Sequence, residues 1–164
     1  MKISIIFIST ILVLSMALPF LLFVYIGVKN TSNTKTFINS IIKNNGIIYT
    51  HNEIWRKTFI GISNDNIILT YVNASLNEPT IISIALSEIK QCNIYKNYSK
   101  DKAIVLKSLD LEFIYKSSTK QNLFINFYNT NVDNSEDYEL QRIEKWHQLI
   151  LNATSFQASV KIAS

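Results

Sequence analysis

Leu109-Asp110-Leu111-Glu112-Phe113-Ile114-Tyr115-Lys116 alternates apolar and polar residues. Leu109, Leu111, Phe113 and Tyr115 fall on one face of an extended chain; Asp110, Glu112 and Lys116 fall on the other. Successive side chains of a strand point to opposite sides, so this period of two reads as a half-buried β-strand. Its apolar face needs partners, and the flanking sequence supplies them. Downstream, the polar residues 117–121 form a turn and 122–128 (NLFINFY) form a further strand. Upstream, 89–95 (IKQCNIY) alternates, with Ile89, Gln91, Asn93 and Tyr95 opposite Lys90, Cys92 and Ile94. Between these two, 97–107 (NYSKDKAIVLK) is irregular and basic.

The same signal runs further toward the N-terminus. Leu86-Ser87-Glu88 makes a corner after a strand at 80–85, and 73–79 (NASLNEP) is a loop. The strand at 67–72 is one arm of a hairpin, residues 63–66 (SNDN) are its turn, and 54–62 (IWRKTFIGI) is the other arm. Asn, Asp and Ser favour turns because their side chains bond nearby backbone. A short strand covers 47–50. The series is about seven strands joined by short turns, which predicts antiparallel pairing.

The C-terminal part is helical. Leu140, Ile143, Trp146 with His147, Ile150 and Ala153 recur at three and four residues, an apolar stripe on a helix over about 135–153. Asp133 or Asn134 caps it, with Glu136 and Asp137 in the first turn, where the helix dipole favours acids. Residues 154–164 read as a tail.

The N-terminal stretch 3–28, ISIIFISTILVLSMALPFLLFVYIGV, carries no charge. As a helix it would reach roughly 39 Å, and a bilayer core is roughly 30 Å thick. It is longer than the apolar core of a signal peptide and lacks a small-residue cleavage site, so it reads as an uncleaved single-pass anchor. Pro19 would kink it. Residues 29–36 (KNTSNTKT) form a polar tether. Phe37, Ile38, Ile41 and Ile42 then share one face of a short amphipathic helix that stops at Asn45-Gly46 and packs on the domain. Lys29, Lys35 and Lys43 follow the anchor, while Lys2 and the amino terminus precede it. The membrane is read as a bacterial inner membrane, and the positive-inside rule favours the cytoplasmic side for the soluble domain over the outer side.

The 164 residues carry 16 Lys and Arg against 12 Asp and Glu, a net charge of +4. That mild balance lacks the dense basic stripe of a nucleic-acid binder, and no nucleic-acid partner is expected. The single cysteine, Cys92, excludes an intramolecular disulfide framework and a cysteine-based zinc site. No cofactor or metal is expected. The acidic run 133–137 lacks the residue order of a calcium loop and reads as a helix start.

The hairpin 54–72, the LSEIK corner at 86–90, the strands 109–115 and 123–128 and the closing helix with Glu144-Lys145-Trp146 together resemble bacterial pleckstrin-homology-like (PH-like) domains tethered by an N-terminal membrane helix. The resemblance covers about residues 46–153. It implies a mainly β (α+β) fold, an antiparallel barrel or sandwich of about seven strands capped by a C-terminal α-helix. It carries no motif whose residues transfer as a site. Some PH-like domains bind phosphoinositides through basic residues near the first hairpin; Arg56 and Lys57 are the only ones there.

No catalytic residues are expected. His51 and His147, with Glu53 and Glu144 as possible orienting carboxylates, are the only acid–base candidates, and no nucleophile motif accompanies them. The expected function is a non-enzymatic, membrane-tethered module that docks a protein or peptide partner. The alternative is binding of anionic lipid headgroups through Lys90, Lys96, Lys100, Lys102 and Lys107, with Tyr95 and Tyr98 interleaved.

Overall fold

The structure, a computed structural model, describes residues 5–75, 78–99, 105–133 and 136–162, with side chains at 5–8, 26–34 and 157–162 outside the description. Short connections make consecutive strands antiparallel neighbours. β1 (Tyr49–Trp55), β2 (Thr58–Ser63), β3 (Ile68–Asn73) and β4 (Thr80–Ala85) form one sheet in chain order. A single 3-10 turn, Leu86–Glu88, leads into β5 (Ile89–Tyr98), β6 (Leu106–Tyr115) and β7 (Leu123–Asn129), the second sheet in chain order. Mainly β with a C-terminal helix is therefore the architecture. Among the described residues no strand of one sheet pairs with a strand of the other, so of the expected barrel or sandwich no barrel closes.

Both sheets turn an apolar face to one core. Ile60, Ile62, Leu69, Tyr71 and Ile84 come from the first sheet; Cys92, Leu109, Leu111, Phe113, Ile125 and Phe127 come from the second. The alternation that defined β6 thus holds as read. On β5 it does not. A register shift between Ile89 and Gln91 puts both Ile89 and Cys92 in the core, although strict alternation places them on opposite faces. An extra residue in one strand reverses which face follows it.

The strand expected over 54–62 is a hairpin. Trp55 pairs with Thr58, so Arg56 and Lys57 are the whole turn. A two-residue hairpin needs positive φ and usually takes it from Gly, Asn or Asp. Here Arg56 supplies φ 46°. Its guanidinium is held by Asp133 and, at 3.1 Å, by the buried Glu139. No turn-forming residue type marks the site, and the apolar residues on either side merge into one run.

The helix α1 runs unbroken over Ile5–Asn44. The polar stretch 29–36, expected as a tether, is part of it. Extending an existing helix fixes one residue per new hydrogen bond, whereas breaking and restarting costs a second nucleation. Gly46, at φ 65°, turns the chain out of the helix as expected. Ile38 is fully buried against Phe59 and Val72, with Ile41, Ile42, Tyr49 and Ile54 around them, on the outer face of the first sheet. This explains why β2 is buried along its whole length: its two faces serve two cores. Among the described residues no helix is long and apolar enough to cross a membrane. Over 9–25 every side chain of α1 is exposed.

The helix α2 (Glu139–Ile162) starts later and ends later than the stripe suggested. Tyr138 at φ 62° breaks helical geometry before Glu139. Asp133 does not cap. It accepts the Asn129 N–H at 2.9 Å and pairs with Arg56, while Glu136 accepts the Leu140 N–H at 3.1 Å. Asn134 lies outside the described residues. The expected tail continues the helix to Ile162, with no Gly or Pro to stop it. Ile143, Trp146, Ile150 and Ala153 are buried in the core, as the stripe requires.

Each sheet has two ends, and the pairings fix which connections share them. The Arg56 end collects the β1–β2 turn, the β3–β4 connection, the start of β6 and the segment after β7. Ala74 donates to the Lys57 carbonyl at 2.8 Å, Thr130 to the Lys107 carbonyl at 3.0 Å, and Asp133 meets Arg56. The Glu88 end collects the rest: Leu86 donates to Ile67, Lys116 to Glu88 and Asn64 to Ile48, each at 2.8 Å.

Gly61 decides how closely the outer layer packs. A Cβ there would sit 2.7 Å from ring atoms of both Phe59 and Tyr49, which meet edge-to-face at 5.2 Å between centroids. Gly61→Ala is expected to lower stability by about 1–3 kcal/mol, the usual cost of overpacking. Thermal unfolding checks this, and Tyr49→Ala in the same chain should recover part of the loss.

Candidate functional site

Glu53 joins distant segments through three hydrogen bonds. It lies on β1, two residues before the buried Trp55 and on the same face. From α2 it receives Arg142 Nε at 2.8 Å, Lys145 Nζ at 3.0 Å and the Trp146 indole N–H at 2.9 Å. Trp146 is buried, so its one donor needs a partner, and Glu53 is that partner. The Arg142 guanidinium lies 5.2 Å from the Trp55 ring centre, and Trp55 stacks on Phe127 at 5.1 Å. One carboxylate thus ties the edge of the first sheet to the helix beneath the second. Burial alone raises the Glu53 carboxyl pKa, but the hydrogen bonds from Arg142, Lys145 and Trp146 outweigh it and hold the pKa below the ordinary 4.5.

That role takes Glu53 away from acid–base chemistry. His51 is exposed on the outermost strand, β1. His147 is half-buried, with Nε2 2.9 Å from the Cys92 carbonyl oxygen on β5. Glu144 is engaged by Lys96 at 3.5 Å. The hydrogen bonds and ion pairs of Glu53, Glu144 and His147 thus go to other residues and not to one another.

A cleft of about 280 Å³ opens at the Arg56 end, between Trp55, Thr58, Asn73, Asn126, Phe127 and Asp133. Its polar groups bond one another. The Tyr71 hydroxyl donates to the Asn126 carbonyl at 2.8 Å across the two sheets, and burial pushes its pKa up to about 12. A phenol that stays protonated is a structural donor, not a base. The Asn126 amide donates to Asp110 at 2.8 Å and to the Tyr128 carbonyl at 3.0 Å. This network ties the two sheets together beside the cleft, through Asn126 of its lining.

Of the described basic residues, Lys90 and Lys107 stand at opposite ends of the second sheet. Lys90 is exposed at the Glu88 end of β5, whereas Lys107 is exposed at the Arg56 end of β6. Lys96 reaches α2 through Glu144. Lys100 and Lys102 lie outside the described residues. Tyr95 is exposed and meets Phe124 edge-to-face at 6.2 Å, so it belongs to the outer surface of the second sheet. The alternation of β5 shows Tyr95 as outward-facing. What the sequence missed is the ion-paired cluster at the Arg56 end, because Arg56 lies far in the chain from its partners Asp133 and Glu139 and no local pattern links them. Comparison with known protein families, curated proteins and solved structures finds no match.

Two measurements check this account. Glu53→Gln keeps the shape but removes the charge, and is expected to cost about 1.5–3 kcal/mol near neutral pH. A carboxyl held below its unfolded value of 4.5 stabilises fully above that pH, and the benefit is lost as pH falls through the folded value. The difference in Tm between wild type and variant should therefore shrink below about pH 4.5; a pH-independent difference would refute the charge role. Separately, burial raises the Cys92 thiol to about 12, so it stays protonated and unreactive. Maleimide at pH 7.5 should leave the folded protein unmodified and label it fully in denaturant.

Proposed function

We propose that this chain is a single-pass membrane protein whose β-domain is a PH-like, non-enzymatic interaction module for a protein or peptide partner. The observation that carries the membrane reading is α1. Its residues 9–25 are almost all apolar and all exposed, with Met16, Phe20 and Phe23 showing 74%, 69% and 78% of their surface. A helix apolar on all sides seeks an apolar medium on all sides. The sequence extends that apolar run to 3–28, long enough for a bilayer core. The order of four strands, three strands and a closing helix supports the PH-like reading. Among the described residues the outer strands β1 and β4 of the first sheet each leave one edge unpaired with another strand, and such edges are templates for an added strand. On β4, Thr80, Ile81 and Ser83 are exposed.

The charge balance around the anchor favours a bacterial inner-membrane location with the domain in the cytoplasm. The test is fractionation of bacteria that express the full chain. The protein should stay with the membrane pellet through high salt and alkaline carbonate. Leu18→Asp with Leu21→Asp should release it, since each acid at mid-span costs about 2.5–3.5 kcal/mol. Wild-type protein in the soluble fraction would refute the anchor. A compartment-sensitive reporter after Ser164 should read cytoplasmic. For docking, a photocrosslinking residue at Ser83 should give a discrete adduct in intact membranes that one at Asn64, in the β2–β3 turn, does not.

A further inference from the structure

The direction in which α1 leaves the domain decides which end faces the membrane. The chain leaves α1 at Asn44 and enters β1 through Ile48, whose carbonyl binds the Asn64 N–H at the Glu88 end. Six residues earlier, Ile38 is buried on Phe59 and Val72. Phe59 and Val72 pair with each other one step from the Thr58–Asn73 pair at the Arg56 end. The helix therefore runs from the Arg56 end toward the Glu88 end. Traced back from Ile38, it passes beyond the Arg56 end, and the apolar segment 9–25 lies on that side.

We infer that the Arg56 end of the sandwich rests on the headgroup layer of the bilayer that holds α1, and that Val132, Tyr138, Val105, Tyr98, Lys57 and Lys107 make the contact. This rests on the membrane reading above. The distance fits. From Val28, the last residue of the apolar run, to Ile38 is ten helical residues, about 15 Å. Lys57 lies two residues beyond Phe59, about 7 Å along the strand direction. The headgroup layer adds roughly 6 Å on each side of the core. Because α1 is continuous, a helix along the membrane normal brings the turn to within a few Å of the headgroups and holds it there.

The composition of that end fits as well. Val132 is 67% exposed and Tyr138 69%, with Val105 and Tyr98 about half exposed. Tyrosine at the headgroup level keeps its ring in the apolar zone and its hydroxyl in the wet one. Tyr138 is held outward by left-handed backbone, an uncommon conformation for a bulky residue. Lys57 and Lys107 are exposed, and neither pairs with an acid among the described residues. Two acids of this end, Asp133 and Glu139, are held by Arg56; Glu78, Glu136 and Asp137 are exposed and oppose the lysines. Aromatic and aliphatic insertion is therefore the main attraction, and the surface is not tuned to one headgroup.

The test uses the full chain with Cys92→Ala, reconstituted into vesicles of phosphatidylcholine and phosphatidylglycerol. Single cysteines carry a fluorophore at the Arg56 end (Val132→Cys, Lys107→Cys), at the Glu88 end (Ile48→Cys, Lys120→Cys) and in the helix (Leu18→Cys). All four domain positions are exposed, so labelling leaves the core intact. A headgroup nitroxide lipid should quench positions 132 and 107 several-fold more than 48 and 120, and an acyl-chain nitroxide should quench position 18. Equal or reversed quenching at the two ends, with position 18 quenched, overturns the orientation and leaves the anchor standing. An unquenched position 18 overturns both.

Discussion

Neither sheet can bury its apolar face alone, and this shared need sets the architecture. The first sheet presents Ile60, Ile62, Leu69 and Ile84; the second presents Leu109, Leu111, Phe113 and Ile125. Facing each other, they exclude water from both, and Trp146 with Ile143 and Ile150 of α2 completes the core. At about 25 cal/mol per Å² of apolar surface, this burial is the main stabilising term. The meander within each sheet satisfies the backbone hydrogen bonds locally, which leaves the core to mainly apolar side chains.

The polar links lie at the edge of this core and orient its parts. Glu53 holds β1 to α2, and Arg56 holds the first hairpin to Asp133 and Glu139. A buried carboxylate such as Glu139 survives only with a partner, because removing a charge from water costs several kcal/mol. The same Arg56 offsets the positive φ of its own turn. The hairpin, the start of α2 and the segment after β7 therefore form one ion-paired unit, and the Tyr71–Asn126 hydrogen bond ties the two sheets beside it.

The helix α1 contributes a second, smaller core on the outside of the first sheet. Gly61 leaves room for the Tyr49–Phe59 pair, and Ile38 seats beside them. That contact converts a helix into a bracket: the position of Ile38 sets where the apolar segment points. The direction in which the apolar segment leaves the domain thus follows from packing on a β-sheet, several turns away from that segment.

Much of the secondary structure was legible. The alternation at 109–116, the hairpin arm at 67–72, the strand at 80–85 and the stripe containing Trp146 all stand where the pattern placed them. Periodicity reports burial, and burial formed these elements. The errors fall where local residue type and tertiary role part. Arg-Lys makes a turn because distant acids hold Arg56. The β5 irregularity moves Ile89 and Cys92 to one face. The polar stretch after the apolar run stays helical because it joins two helical segments. The sequence by itself determined the β-rich class, the core faces and the apolar N-terminal run, since these depend on the order of neighbouring residues. Only the tertiary structure decided the pairing of Glu53 with α2, the separation of Lys90 from Lys107 and the end from which α1 departs. Each depends on residues brought together across the fold, and no local pattern encodes such distances.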